Sequence, residues 1–308
     1  MSKLRLTVAC GDYDIVQALK EGAVEAGGLE LIFLTDMGPR ERHWRLARKM
    51  EFDVCEENVG AYFMARDRGD PVTALPVFLH RRFRHGFVFI NTGAGIKAPK
   101  DLIGRQVGGT NFQPAGNIWM RGILEEHYGV PHREITWIVD RSEDVPFTPP
   151  PGLRIEMKTS SKSLSDMLAD GDLPAMISPT IPRPFAMGDK RIARLFMHVT
   201  TIKQEIVDRY PWVTTNLVKA FEQAKHAAYR RVANPRMVPL AWVRTAVEEQ
   251  EELLGRDPWA YGLTPANRKT LDTIQRYTHQ QGMVGKLRPL DELFDDTDLG
   301  DSVGSEEV

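Results

Sequence analysis

The feature that most constrains this chain is the alternation of strand-like and helix-like segments through its first eighty residues. Residues 4–9 read as a buried strand and 14–26 as a helix, with Asp12 or Asp14 as its cap. Residues 29–33 form a second strand pattern, 40–50 a basic helix, 52–55 a short strand, 59–68 a helix, and 72–79 an apolar run. Alternation of this kind builds parallel βαβ units. A second block follows, with strands at 86–91, 106–108, 134–139 and 175–177 and helices at 115–128 and 164–169. The Pro-rich stretch 145–152 between them reads as a stiff surface loop. From Thr201 the pattern turns helical, at 201–210, 213–232, 240–254 and 267–281, and residues 295–308 read as an acidic, disordered tail.

The 308 residues suffice for two lobes with separate cores. A net charge of −2 gives no global field toward nucleic acid or a membrane surface. No window approaches the roughly 18 apolar residues of a membrane span. The start, with a short apolar stretch running into Gly11 and Asp12, lacks the pattern of an export signal. Cys10 and Cys55 make neither a zinc pattern nor a disulfide framework and read as buried free thiols. The expected location is the cytoplasm.

Two segments resemble a known arrangement. Lys100-Asp-Leu-Ile-Gly-Arg-Gln-Val-Gly is similar to the entry into the second lobe of type II periplasmic-binding-protein folds. Leu168-Ala-Asp-Gly-Asp-Leu-Pro-Ala-Met-Ile-Ser-Pro is similar to the strand that closes that lobe. A closer resemblance is to the 4,5-dihydroxyphthalate decarboxylase family. It rests on Phe78-Leu-His-Arg-Arg-Phe-Arg-His-Gly, Trp119-Met-Arg-Gly-Ile-Leu, Asp257-Pro-Trp-Ala-Tyr-Gly-Leu-Thr-Pro-Ala-Asn-Arg and Leu290-Asp-Glu-Leu-Phe, and covers residues 4–294. It implies an α/β, two-lobed fold with a central cleft and C-terminal helices. Lobe 1 would take 1–88 and 192–294, lobe 2 would take 89–191, and 295–308 would be the tail. It also implies decarboxylation of a hydroxylated aromatic dicarboxylic acid.

Ligands of open α/β sheets bind beyond the carboxyl ends of the strands. That rule selects Asp12 after the first strand, Glu56 after the third, with Glu57 facing solvent, and the run His80-Arg-Arg-Phe-Arg-His85 after the fourth. Glu56 or His80 would give the proton, and Asp12 would orient or deprotonate a phenol. Arginine grips a carboxylate through two parallel hydrogen bonds, so Arg82 and Arg84, with His85, are the expected carboxylate clamp. In the second lobe Asn111, Phe112 and Gln113 precede a helix whose N-terminus suits an anion. Phe112 is placed to stack on a ring. Arg121, four residues after Asn117, is a second clamp or a surface charge. Arg183, in a loop after the last strand of that lobe, is a further ligand contact or a loop ion pair.

No cofactor is expected. Glu56, His80 and His85 are residue types that bind a divalent ion, but no metal-ligand spacing accompanies them. The expected partner is a small aromatic carboxylic acid, and the long C-terminal helices offer a face for a homo-oligomer. The rival readings are a solute-binding protein for the same kind of acid and another lyase on the same scaffold.

Overall fold

The computed structural model describes residues 3–80, 88–178, 183, 199–233, 243–254, 257 and 259–295. The first block contains strands β1 (Leu4–Ala9), β2 (Leu29–Leu34), β3 (Val54–Glu57) and β4 (Val72–Leu75). Helices α1 (Asp14–Lys20), α2 (Pro39–Lys49) and α3 (Val59–Arg68) connect them. The second block contains β5 (Val88–Ile90), β6 (Gln106–Gly109), α4 (Ala115–Tyr128), β7 (Thr136–Val139), β8 (Arg154–Met157), α5 (Leu164–Asp170) and β9 (Ala175–Ile177). The chain then returns to the first sheet as β10 (Val199–Lys203).

Among the described residues two five-stranded sheets result, ordered β2-β1-β3-β10-β4 and β5-β9-β6-β7-β8. In the first, β1 runs parallel to β2 and β3, and β10 runs antiparallel to β3 and β4. In the second, β5 is the antiparallel member, on β9. The first sheet thus draws on residues 4–75 and 199–203, and the second on 88–177: two lobes, one of them discontinuous.

The remaining helices are α6 (Gln204–Arg209), α7 (Trp212–Ala233), α8 (Val243–Leu254), α9 (Pro265–Gln280) and α10 (Leu290–Leu293). Helix α7 lies along α1, and α9 packs on both α3 and α4, so it belongs to neither lobe alone. After α10 the chain rejoins the first sheet, where Phe294 bridges Ala74 and the Asp295 N–H donates to the Ala74 carbonyl at 2.9 Å. Among the described residues no helix is long and apolar enough to cross a membrane.

Several expectations change. Residues 199–203 are a strand and not the start of a helix; β3 and β4 recruit them as the antiparallel strand between them. Strand β8 was not legible at all. Helix α1 ends at Lys20 and not near residue 26, and Tyr13 is its cap residue, without a side-chain cap bond. Cys10 and Cys55 are both free and buried.

The Trp119–Leu124 segment shows how tightly the lobes and C-terminal helices are fitted. Trp119 meets Tyr277 edge-on at 5.6 Å, and a Cβ built on Gly122 would stand 2.2 Å from the Tyr277 ring. The Tyr277 hydroxyl is tied to Glu126 at 2.5 Å, so the ring has little room to yield. Gly122→Ala is therefore expected to lower stability by about 1–3 kcal/mol, an overpacking cost, measured by urea unfolding. An unchanged midpoint would show that the α4–α9 contact adjusts freely.

Candidate functional site

Glu56 stands at the carboxyl end of β3 and is fully buried. Its carboxylate accepts from Arg42 Nη2 at 2.7 Å, from the Gly11 N–H at 3.0 Å, and from the Tyr13 hydroxyl at 2.9 and 3.2 Å. Arg42 is buried as completely and donates a further bond to the Met37 carbonyl at 3.2 Å. A buried carboxylate with a guanidinium, an amide and a phenol around it is held as an anion. Burial, and next the Glu56 charge, push the Tyr13 hydroxyl well above its usual range, so it stays protonated and donates. The same causes raise the Cys10 thiol to about 12, which rules it out as a thiolate. His80 lies with its ring parallel to Tyr13, 5.8 Å between centroids. Glu56, Arg42, Tyr13 and His80 form one cluster at the ends of β1, β3 and β4.

Glu57, expected to face solvent, is buried as well. Desolvation, then the negative charges of Asp144 and Asp70, lift it to about 8. The two neighbouring carboxyls of β3 therefore meet different surroundings: Glu56 is gripped by a guanidinium and two further donors, whereas burial raises Glu57. Next in the chain, Asn58 caps α3, accepting at Oδ1 from the Gly60 and Ala61 N–H groups at 2.9 and 3.4 Å. The same oxygen accepts from the Ala115 N–H of α4 at 3.1 Å, so one atom joins a helix of each lobe. Arg48 adds a second cross-lobe bond, to the Glu143 carbonyl at 3.2 Å.

The other expected residues divide. Asp12 does not join the cluster: its carboxylate is largely exposed and pairs with Lys20 at 2.7 Å. It points away because Glu56 already takes the Gly11 N–H and the Tyr13 hydroxyl beside it. The approach to α4 is filled from within. The Glu143 carboxylate accepts from the Phe112 and Gln113 N–H groups at 2.6 and 3.0 Å, so no ligand anion finds them free. Gln113 is bonded through both ends of its amide to the backbone of Val145, accepting from the N–H at 3.0 Å. Phe112 carries the Arg121 guanidinium over its ring at 3.5 Å and stacks on Phe147, so its ring packs the lobe and does not lie open to a ligand.

Arg121 is not a surface charge, and its Nη1 lies buried without a partner. It is buried, and donates to Gln281 Oε1 and the Phe112 carbonyl, each at 2.7 Å. Asn111 is buried with both amide atoms lacking a partner. Arg183 is exposed. Arg82, Arg84 and His85 lie outside the described residues. Among the described residues no group of three or more His, Cys, Asp or Glu side chains is placed to hold a metal.

Sequence reasoning missed Arg42 and left Tyr13 without a role. A signal for Arg42 existed. It lies four residues before Leu46, and both are buried, so an arginine occupied the apolar face of an otherwise basic helix. Such an arginine needs a buried counter-charge.

The family described as NMT1/THI5 like matches residues 15–145. A 4,5-dihydroxyphthalate decarboxylase from Comamonas testosteroni is 30% identical over 96% of this chain and 97% of its own length. One from Pseudomonas putida is 32% identical over 64% of this chain and 78% of its own. Among solved structures, the periplasmic aliphatic sulphonate binding protein SsuA from Escherichia coli matches with a TM-score of 0.59 at 12% identity, covering 100% of this chain and 96% of that one. A DSZB variant in complex with biphenyl-2-sulfinic acid matches with a TM-score of 0.56 at 15% identity, covering 95% and 96%. The structural matches establish the two-lobed periplasmic-binding-protein fold.

Removing one member of a buried ion pair leaves an uncompensated charge. Arg42→Met is expected to cost about 3–5 kcal/mol, and Arg42→Met combined with Glu56→Gln should regain a large part of it. Denaturant melts of the two variants decide the point. Equal losses in the single and double variants would mean that the pair does not act as a unit.

Proposed function

The chain belongs to the 4,5-dihydroxyphthalate decarboxylase family, and from that premise we propose that it removes carbon dioxide from a hydroxylated aromatic dicarboxylic acid such as 4,5-dihydroxyphthalate, held between its two lobes without an organic cofactor. The observation that carries this reading beyond the family is the Glu56 carboxylate, fixed as an anion by Arg42 at the carboxyl ends of the strands. Loss of CO₂ from an arene needs electron density on the carbon that bears the carboxylate. A ring hydroxyl para to that carbon supplies it once its proton is drawn off. Glu56 is the acceptor for that proton, the part that Asp12 was expected to play. Tyr13 and His80, stacked and beside it, form an aromatic wall for the ring.

Arg82 and Arg84 are the proposed clamp for the substrate carboxylates, with His85 and the Asn111 amide as neighbouring contacts. Closure of the lobes would exclude water and strengthen each of these interactions. The para oxygen does the electronic work that a cofactor or metal would otherwise supply. The reaction would be housed in the cytoplasm, where free thiols such as Cys10 and Cys55 stay reduced.

The test is turnover of 4,5-dihydroxyphthalate by chelator-treated protein, followed by CO₂ release and product mass. Release of CO₂ with 3,4-dihydroxybenzoate is the expected result, and Glu56→Gln should lower kcat by about 10²–10⁴-fold. Tight binding without turnover would favour a solute-binding role, the role named for the sulphonate-binding neighbours of the same fold.

A further inference from the structure

Helix α4 is apolar on more than one face. Trp119 and Gly122 meet Tyr277 of α9, whereas Met120, Ile123 and Leu124, at the spacing of a single helical stripe, lie on another side. That stripe forms one wall of a pocket of about 250 Å³. Val88 and Ile90, the alternate residues of the edge strand β5, form a second wall, and the segment 96–102 forms a third with Leu102. The pocket lies on the flank of lobe 2. It shares no residue with the Glu56 cluster or with the approach to α4 at 111–113.

The third wall is fixed from within. The Asp101 carboxylate accepts from the Lys97 and Ala98 N–H groups, each at 2.8 Å, and so closes the turn. Asn91 anchors the start of the segment, donating to the Leu168 carbonyl at 2.7 Å and accepting from the Gly93 N–H at 2.8 Å. The Gly104 N–H fixes the far end on the Glu134 carbonyl at 2.8 Å. A pocket framed in this way is preformed, and a guest does not bear the cost of ordering it.

The interior and the rim differ in character. Within, the walls are aliphatic, so what enters must be apolar. A cavity of about 150 Å³ lined by Leu, Ile and Phe holds benzene, and this one has room for a substituted ring or a medium-length chain. At the rim stands Lys97, exposed and without an ion pair among the described residues. Over residues 97–105, Lys97, Lys100 and Arg105 outnumber the one acid, Asp101, which the two backbone amides already hold. The acids near the end of α4 are engaged elsewhere, Glu125 with His132 and Glu126 with Arg276 and Tyr277. The mouth is therefore complementary to an anion.

We propose that this pocket is a second binding site, for a small apolar monocarboxylate whose ring or chain enters between β5 and α4 and whose carboxylate meets Lys97. The site stands apart from the decarboxylase reading. A dihydroxylated dicarboxylic acid placed here would leave its hydroxyls and one carboxylate unpaired against carbon, so the two sites sort acids by polarity.

The experiment uses the full-length protein labelled with ¹³C at the methionine methyls. Met120, 2% exposed, reports from the pocket wall, and Met120→Leu assigns its signal. Butanoate, hexanoate and octanoate are titrated, with octanol as the uncharged probe. The Met120 signal should shift saturably, and each added methylene should tighten binding about fourfold. Lys97→Glu should weaken octanoate about threefold to tenfold and leave octanol unchanged. Ala98→Phe, a change at an exposed position of the rim, should block both probes. A Met120 signal that stays fixed with all four probes overturns the site. Octanoate binding that survives Ala98→Phe overturns its location, and octanoate binding that Lys97→Glu leaves unchanged overturns the carboxylate assignment.

Discussion

The buried pair of Arg42 and Glu56 is the interaction on which the cleft side of the first lobe depends. Taking a guanidinium and a carboxylate out of water is costly unless each finds further partners. Here they do. The end of β1 supplies an amide through Gly11, the following turn supplies the Tyr13 hydroxyl, and the loop before α2 supplies the Met37 carbonyl. Three separate pieces of chain, at 11–13, 37–42 and 56, are thus held in register by one charge pair. The stacking of His80 on Tyr13 extends that order to the segment after β4.

A second constraint is the meeting of the lobes at Asn58. Its side-chain oxygen serves two helix starts, one from each lobe, and Gly60 allows the approach, since a Cβ there would stand 2.2 Å from Ile118 and 3.0 Å from the Gln113 carbonyl. Helix α9 spans the same junction from outside. The C-terminal motif that carried the family resemblance is anchored by a buried lysine. Lys225 contacts Asp257 and Glu222 at 2.6 and 2.7 Å and lies over the Tyr261 ring at 4.5 Å. The Gly262 N–H then donates to the Pro76 carbonyl at 2.7 Å, which ties this motif to the stretch leading to His80.

Much of the fold was legible because βαβ periodicity is local. Helices α3 and α4 have the bounds that the sequence pattern predicts. What escaped was set by partners distant in the chain. Strand β10 precedes a helix pattern, and only pairing with β3 and β4 makes it extended. Strand β8 is a largely exposed edge after a proline-rich loop, and its Arg-Ile-Glu-Met alternation, four residues long, is too short to stand out. The site was legible in its positions and less so in its roles. Glu56 was selected by the strand-end rule. Asp12 obeys the same rule and faces solvent, because a strand end fixes where a side chain starts and leaves open which way it turns. Gln113 and Phe112 precede a helix as expected, but residues some thirty positions later occupy them.

Glu143 has a consequence for how the second lobe would meet an anion. The amides at the approach to α4 already hold a carboxylate, and the protein carries that carboxylate on its own chain. An incoming anion meets a self-neutralised surface on this side and must evict a resident before it gains anything. This edge of the second lobe is therefore self-satisfied by construction: its polarity is internally quenched, and what it turns outward is contour.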